Sequence, residues 1–161
     1  MKKTEFKKIA NYIGEVIKDS PFYSHTYIVG GSVRDLCMGN EIKDIDLVID
    51  LENGGIDFAK YCMDKELLTH DVVLFERYGV AMFAFKEFPN EQIECVMTRG
   101  EKYLDRNSRN PETVFASIED DCIRRDLTIN ALYYNISTGE IIDMVGGLKD
   151  IEDKVIRTTN E

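Results

Sequence analysis

Residues 27–50, Tyr-Ile-Val-Gly-Gly-Ser-Val-Arg-Asp-Leu-Cys-Met-Gly-Asn-Glu-Ile-Lys-Asp-Ile-Asp-Leu-Val-Ile-Asp, leave this chain few folds. Tyr27 to Val29 are β-formers, and Gly30-Gly31 permits backbone turns closed to other residues. Ser32 to Met38 can form about two turns of helix. A helix N-terminus behind two glycines offers unpaired amides to phosphate oxygens, which glycine lets approach closely. The next strand reads Asp44-Ile45-Asp46-Leu47-Val48-Ile49. Its period of two sends Ile45, Leu47 and Ile49 to a core and Asp44 and Asp46 to the opposite face, Cα atoms about 6.6 Å apart.

Two carboxylates that close repel each other unless a cation compensates, and hard oxygen ligands suit magnesium, which takes one or two protein carboxylates and leaves its other positions to water and phosphates. Two magnesium ions about 4 Å apart are the expectation for such a site, one to lower the pKa of an attacking hydroxyl and the other to steady leaving phosphates. Gly30, Gly31 and Ser32 are the candidate phosphate cradle, and Asp44 and Asp46 the candidate metal ligands. This combination resembles the nucleotidyltransferase superfamily that includes DNA polymerase beta, in which a glycine turn precedes Asp-x-Asp by about a dozen residues. Here twelve residues separate Gly31 from Asp44. In that family Arg34 belongs to the glycine-turn motif.

The chain has 161 residues, 43% of them hydrophobic, enough for one core and one domain over residues 1–161. Its four cysteines, Cys37, Cys62, Cys95 and Cys122, form no Cys-x-x-Cys pair, so they are expected reduced and buried. No stretch approaches eighteen apolar residues, and a cytoplasmic protein with no membrane contact is expected. The net charge of −10 argues against a broad basic nucleic-acid surface, yet one metal-bound triphosphate needs only a local site.

Apolar residues at helical spacing from Phe6 to Ile17 predict a helix over 3–19, and residues 56–68 predict another, with Asn53-Gly54-Gly55 as a loop before it. Three strands follow in an antiparallel meander, over 72–75, 80–85 and 92–97. In the third, Glu94 lies opposite Ile93, Cys95 and Met97, which makes it a candidate third acid beside the aspartates. Residues 98–111 read as a polar loop whose cations, Arg99, Lys102, Arg106 and Arg109, suit an anionic substrate. His25 and His70 read as structural. Ile141 to Asp143 is a further strand, and Gly146-Gly147 a structural turn. The fold class expected is α/β (α+β): a mixed, largely antiparallel sheet of about five strands with helices mainly on one side.

Arg124-Arg125-Asp126-Leu127-Thr128-Ile129-Asn130-Ala131 narrows the resemblance. It looks like the Arg-Arg-Asp-Phe-Thr-Ile-Asn-Ala motif of class II tRNA CCA-adding enzymes and bacterial poly(A) polymerases, with Leu127 for the usual Phe. In that family the motif binds the incoming nucleotide. Guanidinium groups fork onto phosphate oxygens, and Asp and Asn can bond sugar hydroxyls, so Arg34, Arg124 and Arg125 are candidates to offset triphosphate charge and Asp126 and Asn130 to face the ribose. The resemblance implies ATP or CTP as substrate and RNA, above all tRNA, as acceptor. It also implies that the family's neck, body and tail domains lie outside these 161 residues, so the chain is expected to be a piece of a longer enzyme or a head-only protein. A nucleotidyltransferase for a protein or small molecule and a non-catalytic nucleotide-binding module that needs a partner chain are the rival readings.

Overall fold

The computed structural model describes residues 1–102 and 112–159. The first helix, α1 (Lys3–Ile17), carries Phe6, Ile9, Ala10, Ile13 and Ile17 on one buried face. Full burial of each of the larger side chains contributes about 1.5–3 kcal/mol. The helix stops where the Ser20 hydroxyl takes up the Ile17 carbonyl at 2.7 Å. Strand β1 (Thr26–Val29) runs into α2 (Gly31–Met38), and β2 (Ile45–Ile49) pairs antiparallel with β1, Val29 opposite Asp46. After α3 (Gly54–Asp64) come β3 (Val73–Phe75), β4 (Val80–Phe83) and β5 (Ile93–Met97), the expected meander. A separate hairpin of β6 (Arg99–Lys102) and β7 (Glu112–Phe115) precedes α4 (Ile118–Ile123), β8 (Leu132–Asn135), β9 (Ile141–Asp143) and α5 (Gly147–Asp153).

The main sheet has the order β3-β4-β5-β2-β1-β8-β9. It therefore has seven strands rather than about five. Leu132–Asn135, read in the sequence only as the tail of the arginine motif, is an inner strand flanked by β1 and β9. Its first three residues are buried, and this removes the alternation that marks a half-exposed strand. Within this sheet only β2 and β5 run parallel, which places Asp46 opposite Glu94.

Each face of the sheet buries a core. The larger one takes Ile28, Ile45, Leu47 and Ile49 against α1, α2 and α3, and the smaller one takes Tyr27, Val29, Val48 and Tyr133 against Cys122 of α4. Helices thus lie mainly on one side, as expected. Asp46 shares the face of the smaller core, so the acids stand at its rim. Cys62, Cys95 and Cys122 are buried and Cys37 half-buried, all as free thiols. Among the described residues no helix is long and apolar enough to cross a membrane.

Two local expectations are corrected. Gly54 and Gly55 are not a loop but the first turn of α3, which begins at residue 54 rather than 56 and ends at 64 rather than 68. A Cβ on Gly55 would lie 2.6 Å from the Cys95 carbonyl oxygen and 2.7 Å from the Val96 Cα, so these glycines let the helix sit directly on the β5 backbone. Gly55→Ala is accordingly expected to lower stability by about 1–3 kcal/mol or more, read as an earlier urea midpoint, because rigid backbone has to move. A midpoint equal to wild type would show that this close approach is relieved without cost. Residues 99–102 form strand rather than loop, because backbone pairing with β7 needs no apolar alternation, and Thr98 is fully buried. Arg106 and Arg109 lie outside the described residues.

Candidate active site

The glycine turn is built as the sequence requires. Gly30 has φ 85° and ψ −143°, a conformation that side chains resist, and its carbonyl accepts from the Val33 and Arg34 amides at 3.1 Å each, which starts α2. A Cβ on Gly30 would lie 3.9 Å from Asp46 Oδ2, so turn and acid adjoin. The turn, Asp46 and the segment after α4 enclose an open cleft of about 350 Å³, lined by Gly30, Gly31, Arg34, Asp46, Arg124, Arg125, Asp126 and Asn130. A larger hollow of about 650 Å³ at the N-terminus is lined by residues such as Lys2, Leu36 and Glu41 and contains none of the candidate site residues.

Asp46 is half-buried and its pKa is pushed up to about 6, first by burial, then by Glu94, with Asp44 adding to the rise and Arg125 opposing it. A raised carboxyl beside other carboxylates is a site short of positive charge. Asp44 is exposed just before β2, and Glu94 is exposed on β5 at the position paired with Asp46. Neither lines the cleft itself, and both stand at its acidic edge. Among the described residues no three His, Cys, Asp or Glu side chains converge closely enough to enclose a cation unaided. The donor set fits magnesium held by one or two carboxylates, with water and substrate phosphates completing its shell.

Arg34 links the two motifs. Its Nη1 donates to Asn130 Oδ1 at 2.8 Å and its Nε to Asp35 Oδ1 at 3.1 Å, so the glycine-turn helix is tied to the residue expected to face a sugar. Asp126 accepts from the Leu127 amide at 2.8 Å while lining the cleft. Ser32 is placed differently from its neighbours: it is buried, does not line the cleft, and its Oγ has no hydrogen-bond partner. His25 and His70 lie outside the cleft.

The arginine motif is not one helix. Arg124 and Arg125 follow α4 directly, and Thr128–Asn130 form a single 3-10 turn before β8. Behind the two arginines lies Asp121, which the sequence reading passed over. It is fully buried and receives the Arg124 and Arg125 guanidiniums at 3.2 and 2.9 Å. Burial would raise this carboxyl, but Arg125, the Tyr133 hydroxyl, the Arg99 amide and Arg124 together hold it below the ordinary range. Its i, i+3 and i, i+4 spacing to the arginines was the available signal. Thr128 and Asp150 form a second buried pair: the Thr128 hydroxyl donates to Asp150, which also takes the exposed Arg157 guanidinium at 3.0 Å.

Residues 26–157 match the family model described as Poly A polymerase head domain. Among curated proteins the chain is 38% identical over 141 residues to the A-adding tRNA nucleotidyltransferase of Aquifex aeolicus, covering 81% of this chain and 15% of that one. It is 37% identical over 139 residues to the CCA-adding enzyme of Bacillus pumilus, covering 84% and 31%. Among solved structures, a CCA-adding enzyme in apo form aligns with a TM-score of 0.78 at 29% identity over 96% of this chain and 35% of that one. A tRNA nucleotidyltransferase complexed with a primer tRNA and an incoming ATP analog aligns at 0.68, with 32% identity over 91% and 38%. The chain thus spans less than two fifths of the length of each of these relatives. With residues 26–157 matched by the family model and relatives above 30% identity over four-fifths of its length, the chain belongs to the Poly A polymerase head domain family.

Proposed function

We propose that the chain carries the nucleotidyl-transfer site of an enzyme that moves a nucleoside monophosphate from ATP or CTP to the 3′ hydroxyl of RNA, tRNA foremost, in the cytoplasm. The observation that carries this reading is the convergence of the Gly30-Gly31 turn, Asp46 and the Arg124–Asn130 segment, up to a hundred residues apart in sequence, in one cleft. In the reaction the acceptor oxygen bonds to the α-phosphorus, the bond to the bridging oxygen breaks, and pyrophosphate leaves while the hydroxyl proton passes to water. Magnesium, held by Asp46 with Asp44 and Glu94, would acidify the hydroxyl and offset the leaving charge. Gly30 and Gly31 bring backbone close to the phosphates, Arg34, Arg124 and Arg125 face them, and Asp126 and Asn130 face the sugar.

Incubation with labelled ATP or CTP and bulk RNA tests this reading: label in RNA supports it, whereas label in protein or retention without transfer supports one of the rivals. The net charge of −10 favours an acceptor other than a long RNA and keeps the protein- or small-molecule-modifying reading as the second. The cleft addresses phosphate and sugar, which all nucleotides share. Calorimetric titration with ATP, CTP, GTP and UTP at fixed magnesium is therefore expected to show affinities within about tenfold of each other, a spread of about 1.4 kcal/mol. Strong preference for one base would show that this chain contains a base reader of its own.

A further inference from the structure

We infer that Asp121 is a positioning residue for the nucleotide cleft, fixing from behind the two guanidiniums that face the triphosphate; this rests on the nucleotide reading above. Asp121 itself does not line the cleft, whereas Arg124 and Arg125 both do. Its Oδ1 accepts from Arg124 Nη2 at 3.2 Å and from the Arg99 amide at 3.0 Å. Its Oδ2 accepts from Arg125 Nε at 3.2 Å, from Arg125 Nη2 at 2.9 Å and from the Tyr133 hydroxyl. The carboxylate side chain is 0% exposed, against 22% and 17% for its arginine partners, so the charge is enclosed on one side and presented on the other.

The frame around it is rigid. Tyr133 sits on β8 in the smaller core and also accepts from Arg125 Nε at 3.1 Å, with the guanidinium carbon 5.5 Å from its ring centre. Arg124 Nε donates to the Arg99 carbonyl at 2.9 Å, which ties it to the β6–β7 hairpin. Arginine loses much rotamer freedom when it binds a phosphate, and a guanidinium already fixed by a buried carboxylate has lost that freedom before the ligand arrives. One carboxylate against two guanidiniums also leaves net positive charge facing the cleft.

The sign of the Asp121→Asn effect separates positioning from simple charge. Removal of a negative charge near a polyanion site would, by electrostatics alone, tighten triphosphate binding. Positioning predicts the reverse: weaker ATP binding by about tenfold to a hundredfold, the range expected for disrupted charged hydrogen bonds. AMP, which lacks the β- and γ-phosphates, should lose less than ATP. Tyr133→Phe keeps every charge and the ring, and is expected to weaken ATP a few-fold; it carries the test if Asp121→Asn fails to fold. The anchor is also visible without nucleotide, as an exchange-protected Arg125 Nε–H signal in ¹⁵N spectra that disappears in Asp121→Asn. ATP affinity unchanged or tightened in folded Asp121→Asn, or unchanged in Tyr133→Phe, would overturn the inference, as would an equal loss for AMP and ATP. A wild-type chain that shows the protected signal but binds no magnesium-ATP would instead overturn the nucleotide reading on which the inference rests.

Discussion

Asp46→Asn is expected to lose magnesium-dependent nucleotidyl transfer by about three orders of magnitude or more while melting at a higher temperature than wild type. The loss follows from removing the carboxylate that adjoins the glycine turn. The stabilisation follows from that carboxyl's environment: burial, Glu94 and Asp44 raise its pKa from 3.8 to about 6. A raised folded-state value means that the folded chain holds the proton more tightly than the unfolded one between these pH values. The resulting stability is fully present below about pH 4 and is lost as the pH rises through 6. By neutral pH the ionised Asp46 withholds up to about 3 kcal/mol from the fold, less where water reaches it. Asparagine, neutral throughout, restores part of that, worth several degrees of melting temperature in a domain of this size. Thermal melts at pH 5 and 8, with EDTA or magnesium, check both parts: the gain should be larger at pH 8, and magnesium should raise the wild-type melting point more than the variant's. A variant less stable than wild type at pH 8 would refute this account of Asp46, and retained turnover would remove Asp46 from the site.

Gly147→Ala is expected to cost about 3 kcal/mol or more and to weaken ATP binding as well. A Cβ there would come closer than 3.0 Å to the Thr128 carbonyl oxygen, with the Thr128 carbonyl carbon at 3.0 Å and Leu132 Cδ2 at 3.2 Å. Backbone lies on both sides, so α5 and the Thr128–Asn130 turn must separate. The helix cannot easily retreat, because Asp143 caps it through the Gly146, Gly147 and Leu148 amides at 2.8–3.0 Å. The turn is itself held at the Thr128 amide by the Arg157 carbonyl at 2.9 Å. Movement there draws Asn130 from Arg34 and opens the cleft. Gly39→Ala is the control: its φ is 72° but a Cβ would meet nothing within 4 Å, so only conformational strain of about 1 kcal/mol is expected. Equal urea midpoints for the two variants would mean that the helix approach contributes nothing.

What could be read from the sequence was whatever depends on short-range period. Asp44 and Asp46 separate from Ile45 and Leu47 by alternation alone, and Gly30 was marked by the turn it must make. Glu94 emerged by the same rule. Asp121 did not, because in the run Glu119-Asp120-Asp121 it looks like any acidic residue in a helix's first turn. Its burial is decided by the Arg99 amide and the Tyr133 hydroxyl, 22 and 12 residues away, which no local pattern connects. Gly54 and Gly55 were misread for a similar reason. Their contact is with Ile49 and the β5 backbone, so a loop and a tightly seated helix start look alike until the sheet is present. The arginine motif was recognisable as a whole, but its division into helix end, 3-10 turn and inner strand was not.

The parallel seam between β2 and β5 bears on how such sites are found in other chains. Asp44 and Asp46 keep a constant offset because one strand carries both. Glu94 stands opposite Asp46 only because the one parallel ladder between β2 and β5 is in that register. The intervening helix, edge strand and turns can lengthen or shorten without moving one acid from the other, provided neither strand slips. A spacing pattern of the Asp-x-Asp kind therefore finds an aspartate pair and misses a carboxylate proposed as its third partner. That residue has to be sought by strand partnership, as the acid facing the second aspartate across the seam, whatever its distance along the chain.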